Sequence, residues 1–134
     1  MSQQPSTPKK PTTGSAGQAM TAPQFFAKAD ELEKAGQFEE ALANFRFCLA
    51  LDPGHLQALF RTGNLLIGNN MVEASLPYYK VLTAMVPQYV PARINYAIAF
   101  KRRGKLDKAI EQLEAATEAD PNFLATWQQL ADVY

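Results

Sequence analysis

A single cysteine, Cys48, has no second thiol to pair with, so the chain cannot form an intramolecular disulfide and suits a reducing compartment. Neither sign of charge dominates, since 13 basic and 13 acidic side chains cancel. A dedicated nucleic-acid binder would need a basic surplus to neutralise phosphates. No apolar run approaches the roughly 20 residues that span a bilayer, and the N-terminus lacks the apolar core of a signal peptide. These absences lead to the expectation of a cytoplasmic protein with no membrane partner and no nucleic acid. With one histidine the H-E-x-x-H motif is excluded, and no glycine loop has phosphate-binding spacing, so neither metal nor cofactor is expected.

Hydrophobic residues make up 47% of the chain and charged residues 19%, which is enough for a packed core. The first stretch is different. Residues 1 to about 22 are Pro, Ser, Thr, Gln and Gly with no aromatic and no acid, and only Lys9 and Lys10 are charged. Such a segment buries too little apolar area to offset its ordering entropy, so a flexible tail is expected there, ahead of a domain over 23–134.

After the tail the chain repeats itself every 34 residues, most visibly at Pro53, Pro87 and Pro121. At the same period Gly36, Asn70 and Gly104 align, the residue types that accept the left-handed conformation ending a helix. Phe38, Val72 and Leu106 follow, then the carboxylates Glu39, Glu73 and Asp107 at the start of a new helix. Ala41, Ser75 and Ala109 form a small column, and Phe45, Tyr79 and Leu113 a large one. In the earlier half of each unit Ala29, Gly63, Ala97 and Ala131 are small, while Leu32, Leu66, Phe100 and Tyr134 are bulky. Each unit therefore reads as helix, tight turn, helix and a proline-marked stop. Asp52, Val86 and Asp120 should close the second helices, because proline disfavours helical geometry in the residue before it.

The pattern resembles the tetratricopeptide-repeat (TPR) family, whose signature is W-x2-L-G-x2-Y, then A-x3-F, then P. Trp127, Leu130, Ala131 and Tyr134 carry its first part, and Gly36, Phe38, Ala41, Phe45 and Pro53 its second. The resemblance implies an all-α, TPR-type α-solenoid of helix-turn-helix repeats wound as a right-handed superhelix. The repeats run over about 22–55, 56–89 and 90–123, with a partial fourth over 124–134. Lys28 and Arg93 stand at columns that are usually apolar, and Pro77 lies early in a second helix. With no second helix over Trp127, Leu130 and Tyr134, the natural chain is expected to continue beyond Tyr134.

Little in the sequence suggests chemistry. Cys48 and His55 could form a nucleophile and base, but Cys48 shares a packing column with Ala116, and His55 follows a Pro-Gly turn. They read as a core cysteine and a surface histidine. Glu31, Glu33, Glu39 and Glu40 read as solvated charges. The basic run Lys101-Arg102-Arg103-Gly104-Lys105 reads first as cations at the negative end of a helix, and second as a rim for an acidic peptide.

TPR proteins line a concave surface with the first helices of successive repeats and hold an extended or helical peptide there. By resemblance the lining consists of Phe26 and Asp30 in repeat one, and of Phe60, Arg61, Asn64 and Ile67 in repeat two. Repeat three adds Ile94, Asn95, Ile98, Lys101 and Arg102, and Gln128, Gln129 and Asp132 close the row. Phe26, Phe60 and Ile94 are expected to stack as apolar anchors, with Asn64 and Asn95 bonding the backbone of the bound chain. Chaperone-binding TPR domains hold a C-terminal carboxylate through a lysine and an asparagine at the positions of Phe26 and Asp30, so such a tail is not the expected ligand.

The expected function is a non-catalytic scaffold for a protein or peptide partner. Two alternatives are the amino-terminal part of a longer enzyme of glycosyltransferase or sulfotransferase type, and a scaffold that self-associates through its uncapped C-terminal end.

Overall fold

A computed structural model of the chain describes residues 19–134, so the expected tail lies, up to residue 18, outside the described residues. Seven helices follow: α1 (Ala22–Lys34), α2 (Phe38–Leu51), α3 (Leu56–Gly68), α4 (Val72–Met85), α5 (Val90–Arg102), α6 (Leu106–Ala119) and α7 (Leu124–Val133). Their starts keep the period of the sequence, with Ala22, Leu56, Val90 and Leu124 opening equivalent helices. The helices divide between two compact units, whose boundary falls between Pro53 and Gly54.

Thr21 belongs to the first helix as its cap. Its hydroxyl accepts from the Gln24 amide, and Gln24 Oε1 accepts from the Thr21 amide at 2.8 Å. This reciprocal arrangement satisfies two of the orphan donors of a helix start. At the equivalent place before α3, His55 Nδ1 accepts from the Ala58 amide at 3.1 Å, so the histidine read as a surface residue is a helix cap.

The turns inside the repeats share one geometry. Gly36, Asn70 and Gly104 have φ of 77°, 64° and 75°. The amides of Gln37, Met71 and Lys105 reach back to the carbonyls of Leu32, Leu66 and Phe100, closing each helix with a Schellman motif. At Gly104 an added Cβ would meet nothing within 4 Å, so any cost of a side chain there is backbone strain alone. Gly104→Val is expected to lower stability by about 1 kcal/mol or more, whereas Gly104→Asn, the residue type found at position 70, should cost only a few tenths. Denaturant unfolding checks both, and an unchanged midpoint for the valine variant contradicts this reading of the turn.

The residues before the prolines leave helical geometry and end the second helices, with φ of −140° at Asp52, −132° at Val86 and −151° at Asp120. Pro77 sits deeper in α4 than the first turn, where a proline is accommodated for lack of a needed amide. As the sixth helical residue it removes a donor from the Glu73 carbonyl, and its own face of the helix is exposed.

In the first unit the core is built from Phe25 and Ala29 of α1 against Ala41, Leu42, Phe45 and Cys48 of α2. The Phe25 ring lies 5.2 Å from Phe47, and Phe26 lies 5.7 Å from Phe45. In the second unit one cluster joins Tyr79 of α4, Val90, Ile94, Tyr96, Ala97 and Phe100 of α5, Ala109, Leu113 and Ala116 of α6, and Leu130 of α7. Leu130, expected to lie uncovered, is buried here because α7 packs on α5 and α6. Trp127 and Tyr134 stay 49% and 75% exposed, and the Trp127 indole donates to the Pro121 carbonyl.

Candidate functional site: the face of α3 and α5

Two departures from the repeat pattern meet beneath α3. Gly63 stands where the other repeats have alanine, and Tyr79 where they have phenylalanine or leucine. The two belong together: a Cβ on Gly63 would lie 2.7 Å from the Tyr79 ring, so only glycine leaves the ring its place. The ring is fully buried, stands 6.0 Å from Tyr96, and carries its hydroxyl up to the face of α3. There the hydroxyl donates to Asn64 Oδ1 at 2.5 Å, and Asn95 Nδ2 of α5 donates to the same oxygen at 2.8 Å. Burial, partly offset by hydrogen bonding to Asn95, pushes the Tyr79 pKa far above the ordinary phenol range, so it remains a donor at every physiological pH.

Around this network lie half-buried apolar groups, namely Phe60, Ile67 and Ile98, all packed on the core cluster. Phe60 meets the Tyr89 ring edge-on at 5.4 Å. Arg61 is half-buried on the same helix. The second-unit lining expected from the sequence thus shares the faces of α3 and α5, while Phe26 belongs to the first unit and packs there on Phe45.

Three expectations change. Ile94 is 7% exposed and is a core residue, because α5 lies in the middle of the second unit with neighbours in α3, α4, α6 and α7. It cannot serve as an open anchor. Lys101 is paired with Asp132 and also donates to Gln129, which ties α5 to α7. That contact holds the Asp132 carboxyl below its ordinary pKa, first by hydrogen bonding and then by the lysine charge. Arg102 donates to the Ile67 carbonyl at 3.2 Å, and Arg103 pairs with Glu73 at 2.7 Å. The basic run is therefore largely engaged in fastening the end of α5 to its neighbours, with Lys105 exposed beyond it.

Arg93 follows the same logic at its apolar column. Its guanidinium donates to the Pro87 carbonyl at 3.0 Å and to Gln112 of α6 at 2.7 Å, so its stem packs while its head is satisfied.

No catalytic arrangement emerges around Cys48. It is fully buried, and burial together with the nearby Asp52 charge pushes its thiol pKa up to about 11. At neutral pH the reactive thiolate is scarce. Folded protein is expected to resist a thiol reagent and to react at one site once unfolded in urea; rapid labelling of the folded chain contradicts this. Among the described residues no group of three or more His, Cys, Asp or Glu side chains could hold a metal ion, and no helix is long and apolar enough to cross a membrane.

Stacked helix-turn-helix units of equal length, with a half-polar face on their first helices, define a repeat protein of the α-solenoid class. The chain belongs to the tetratricopeptide-repeat family. Two sequence profiles described as Tetratricopeptide repeat match residues 66–132 and 26–90. Protein FlbA of Caulobacter vibrioides is 31% identical over 101 residues, which are 75% of this chain and 17% of that protein. The probable UDP-N-acetylglucosamine–peptide N-acetylglucosaminyltransferase SPINDLY of Petunia hybrida is 29% identical over 105 residues, 78% of this chain and 11% of that protein. The chain thus spans less than a fifth of the length of these curated relatives. Among solved structures, MamA from Desulfovibrio magneticus RS-1 is similar with a TM-score of 0.77 at 24% identity, over 84% of this chain and 63% of that one. The first TPR of Spaghetti (RPAP3), solved with the HSP90 peptide SRMEEVD, has a TM-score of 0.78 at 18% identity, over 84% of this chain and 90% of that one. At these identities the structural likeness shows the fold.

Proposed function

We propose that the protein is a non-catalytic scaffold that binds a peptide segment of a partner protein on the face formed by α3 and α5. The observation that carries the reading is the amide pair Asn64–Asn95, half-exposed and bonded to each other over a buried tyrosine, with the half-buried Phe60, Ile67 and Ile98 beside it. Apolar groups with a few oriented polar groups among them are the usual anatomy of a peptide site. Phe60 is the anchor, and Arg61 and Arg102 bias the site toward acidic flanks, mainly through association rate and salt dependence. A peptide bound to the related fold of RPAP3 supports a ligand of this kind.

The test is a peptide-display screen on the intact chain, followed by amide chemical-shift mapping of the enriched peptide. Shifts are expected on α3 and α5. Shifts confined to the outer faces of α4 and α6 would overturn the assignment.

The likeness to SPINDLY, a probable glycosyltransferase, favours a second reading in which these repeats select substrate for a longer enzyme. In that case the same face binds the substrate polypeptide.

A further inference from the structure

The exposed face of α7 is a second surface, independent of the peptide face. At about 100° per residue, Leu124, Trp127, Ala131 and Tyr134 fall within one arc of about 80° on this helix. Leu124, Trp127 and Tyr134 are 67%, 49% and 75% exposed, and Ala131 is exposed among them. Elsewhere in the array the same columns are closed. Phe25 and Leu59 at the column of Trp127 are buried, as are Ala29, Gly63 and Ala97 at that of Ala131, and Leu66 and Phe100 at that of Tyr134. In each of those repeats a second helix, α2, α4 or α6, packs antiparallel on the first. Among the described residues no helix follows α7. What these columns accept is therefore another helix.

We propose that α7 of a second copy of this chain is that helix, packed antiparallel about a twofold axis beside Gln129. Positions 124 and 134, and likewise 127 and 131, lie symmetrically about residue 129. The axis thus sets each Trp127 against Ala131 of the second copy, and each Leu124 against its Tyr134. A small residue opposite a large one lets two helices approach closely. Charge also permits the pairing. A twofold contact brings like groups near one another, but Asp132, the only charged side chain of α7, lies off the stripe and is held by Lys101. Trp127 is set in place before association, since its indole donates to the Pro121 carbonyl. An anchor already immobilised loses little freedom on binding. The three large side chains leave on the order of 400 Å² open on each copy, a patch of a size that is often functional on a monomer. Two such patches fall short of the roughly 1,200 Å² that a stable dimer buries. The dimer is therefore weak and reversible, half-formed on the order of 0.1 mM.

Sedimentation velocity of the intact chain from roughly 5 µM to 1 mM, a range that brackets this midpoint, is the first measurement. The sedimentation coefficient is expected to climb from that of a monomer toward that of a dimer. Leu124→Glu and Ala131→Glu, each at an exposed position and each verified as folded by urea unfolding, should raise the dissociation constant roughly tenfold or more, since either change enters the contact twice. Leu106→Glu, at an exposed apolar position of α6 outside the stripe, should leave it unchanged. Orientation is read by mixing Trp127→Cys protein with Ala131→Cys protein under oxidation. An antiparallel pair joins the two variants to each other, whereas a parallel pair joins like with like. Cys48 is fully buried and stays out of this exchange. A chain that remains monomeric at the highest concentration overturns the proposal and leaves the face to a helix of other origin. Association that both glutamate variants leave intact, or cross-linking that favours like pairs, overturns it equally.

Discussion

Gly63→Ala is expected to lower stability by about 1–2 kcal/mol, the net of a propensity gain and a larger steric loss. Alanine in place of glycine inside a helix normally stabilises by up to roughly 1 kcal/mol. Here the new methyl would lie 2.7 to 3.0 Å from three atoms of the Tyr79 ring. The ring cannot swing aside cheaply, because it is fully buried, packed near Tyr96 and tied by its hydroxyl to Asn64. Overpacking of this kind costs about 1–3 kcal/mol, which exceeds the helix gain. The loss should be smaller, or change sign, when Tyr79→Leu removes the obstructing ring and restores the pairing of alanine with leucine found in repeat three, at Ala97 and Leu113. Urea unfolding of the two single variants and the double variant reads this directly. A Gly63→Ala midpoint equal to or above wild type would show that the ring gives way.

Much of the fold was legible in the sequence because the repeat states the same instruction several times. The helix starts at Leu56, Val90 and Leu124, the helix ends before Pro53, Pro87 and Pro121, and the left-handed turns at Gly36, Asn70 and Gly104 all follow the aligned columns. The site was less legible, because columns record residue type and not exposure. Ile94 shares a column with Phe60, yet it is buried, since α5 is flanked by helices on more sides than α3 within the second unit. Lys101 looked like a binding cation until α7 supplied Asp132 as its partner. The Tyr79 hydroxyl was hidden by grouping tyrosine with phenylalanine and leucine as large and apolar. Its signal was present all the same, as two simultaneous departures in one repeat, Gly63 and Tyr79.

Phe60→Ala is expected to weaken peptide binding by about 1–3 kcal/mol, roughly a five- to hundredfold rise in Kd. Phe60 combines a large apolar side chain, partial exposure and support from both the core cluster and the Tyr89 ring, so it is held in place before any ligand arrives. Anchors of that kind carry most of the energy of small interfaces, because they lose little freedom on binding. Ile67 and Ile98 pack on the same core cluster but are smaller and should contribute less when truncated. With Ile94 buried, no second anchor of equal size on α5 shares the load. The direct measurement is calorimetry of one display-enriched peptide against wild type and Phe60→Ala, each verified as folded by urea unfolding. A peptide site on α3 and α5 predicts a clear loss of affinity in the variant. Equal affinities would contradict it and leave a scaffold that meets its partner elsewhere.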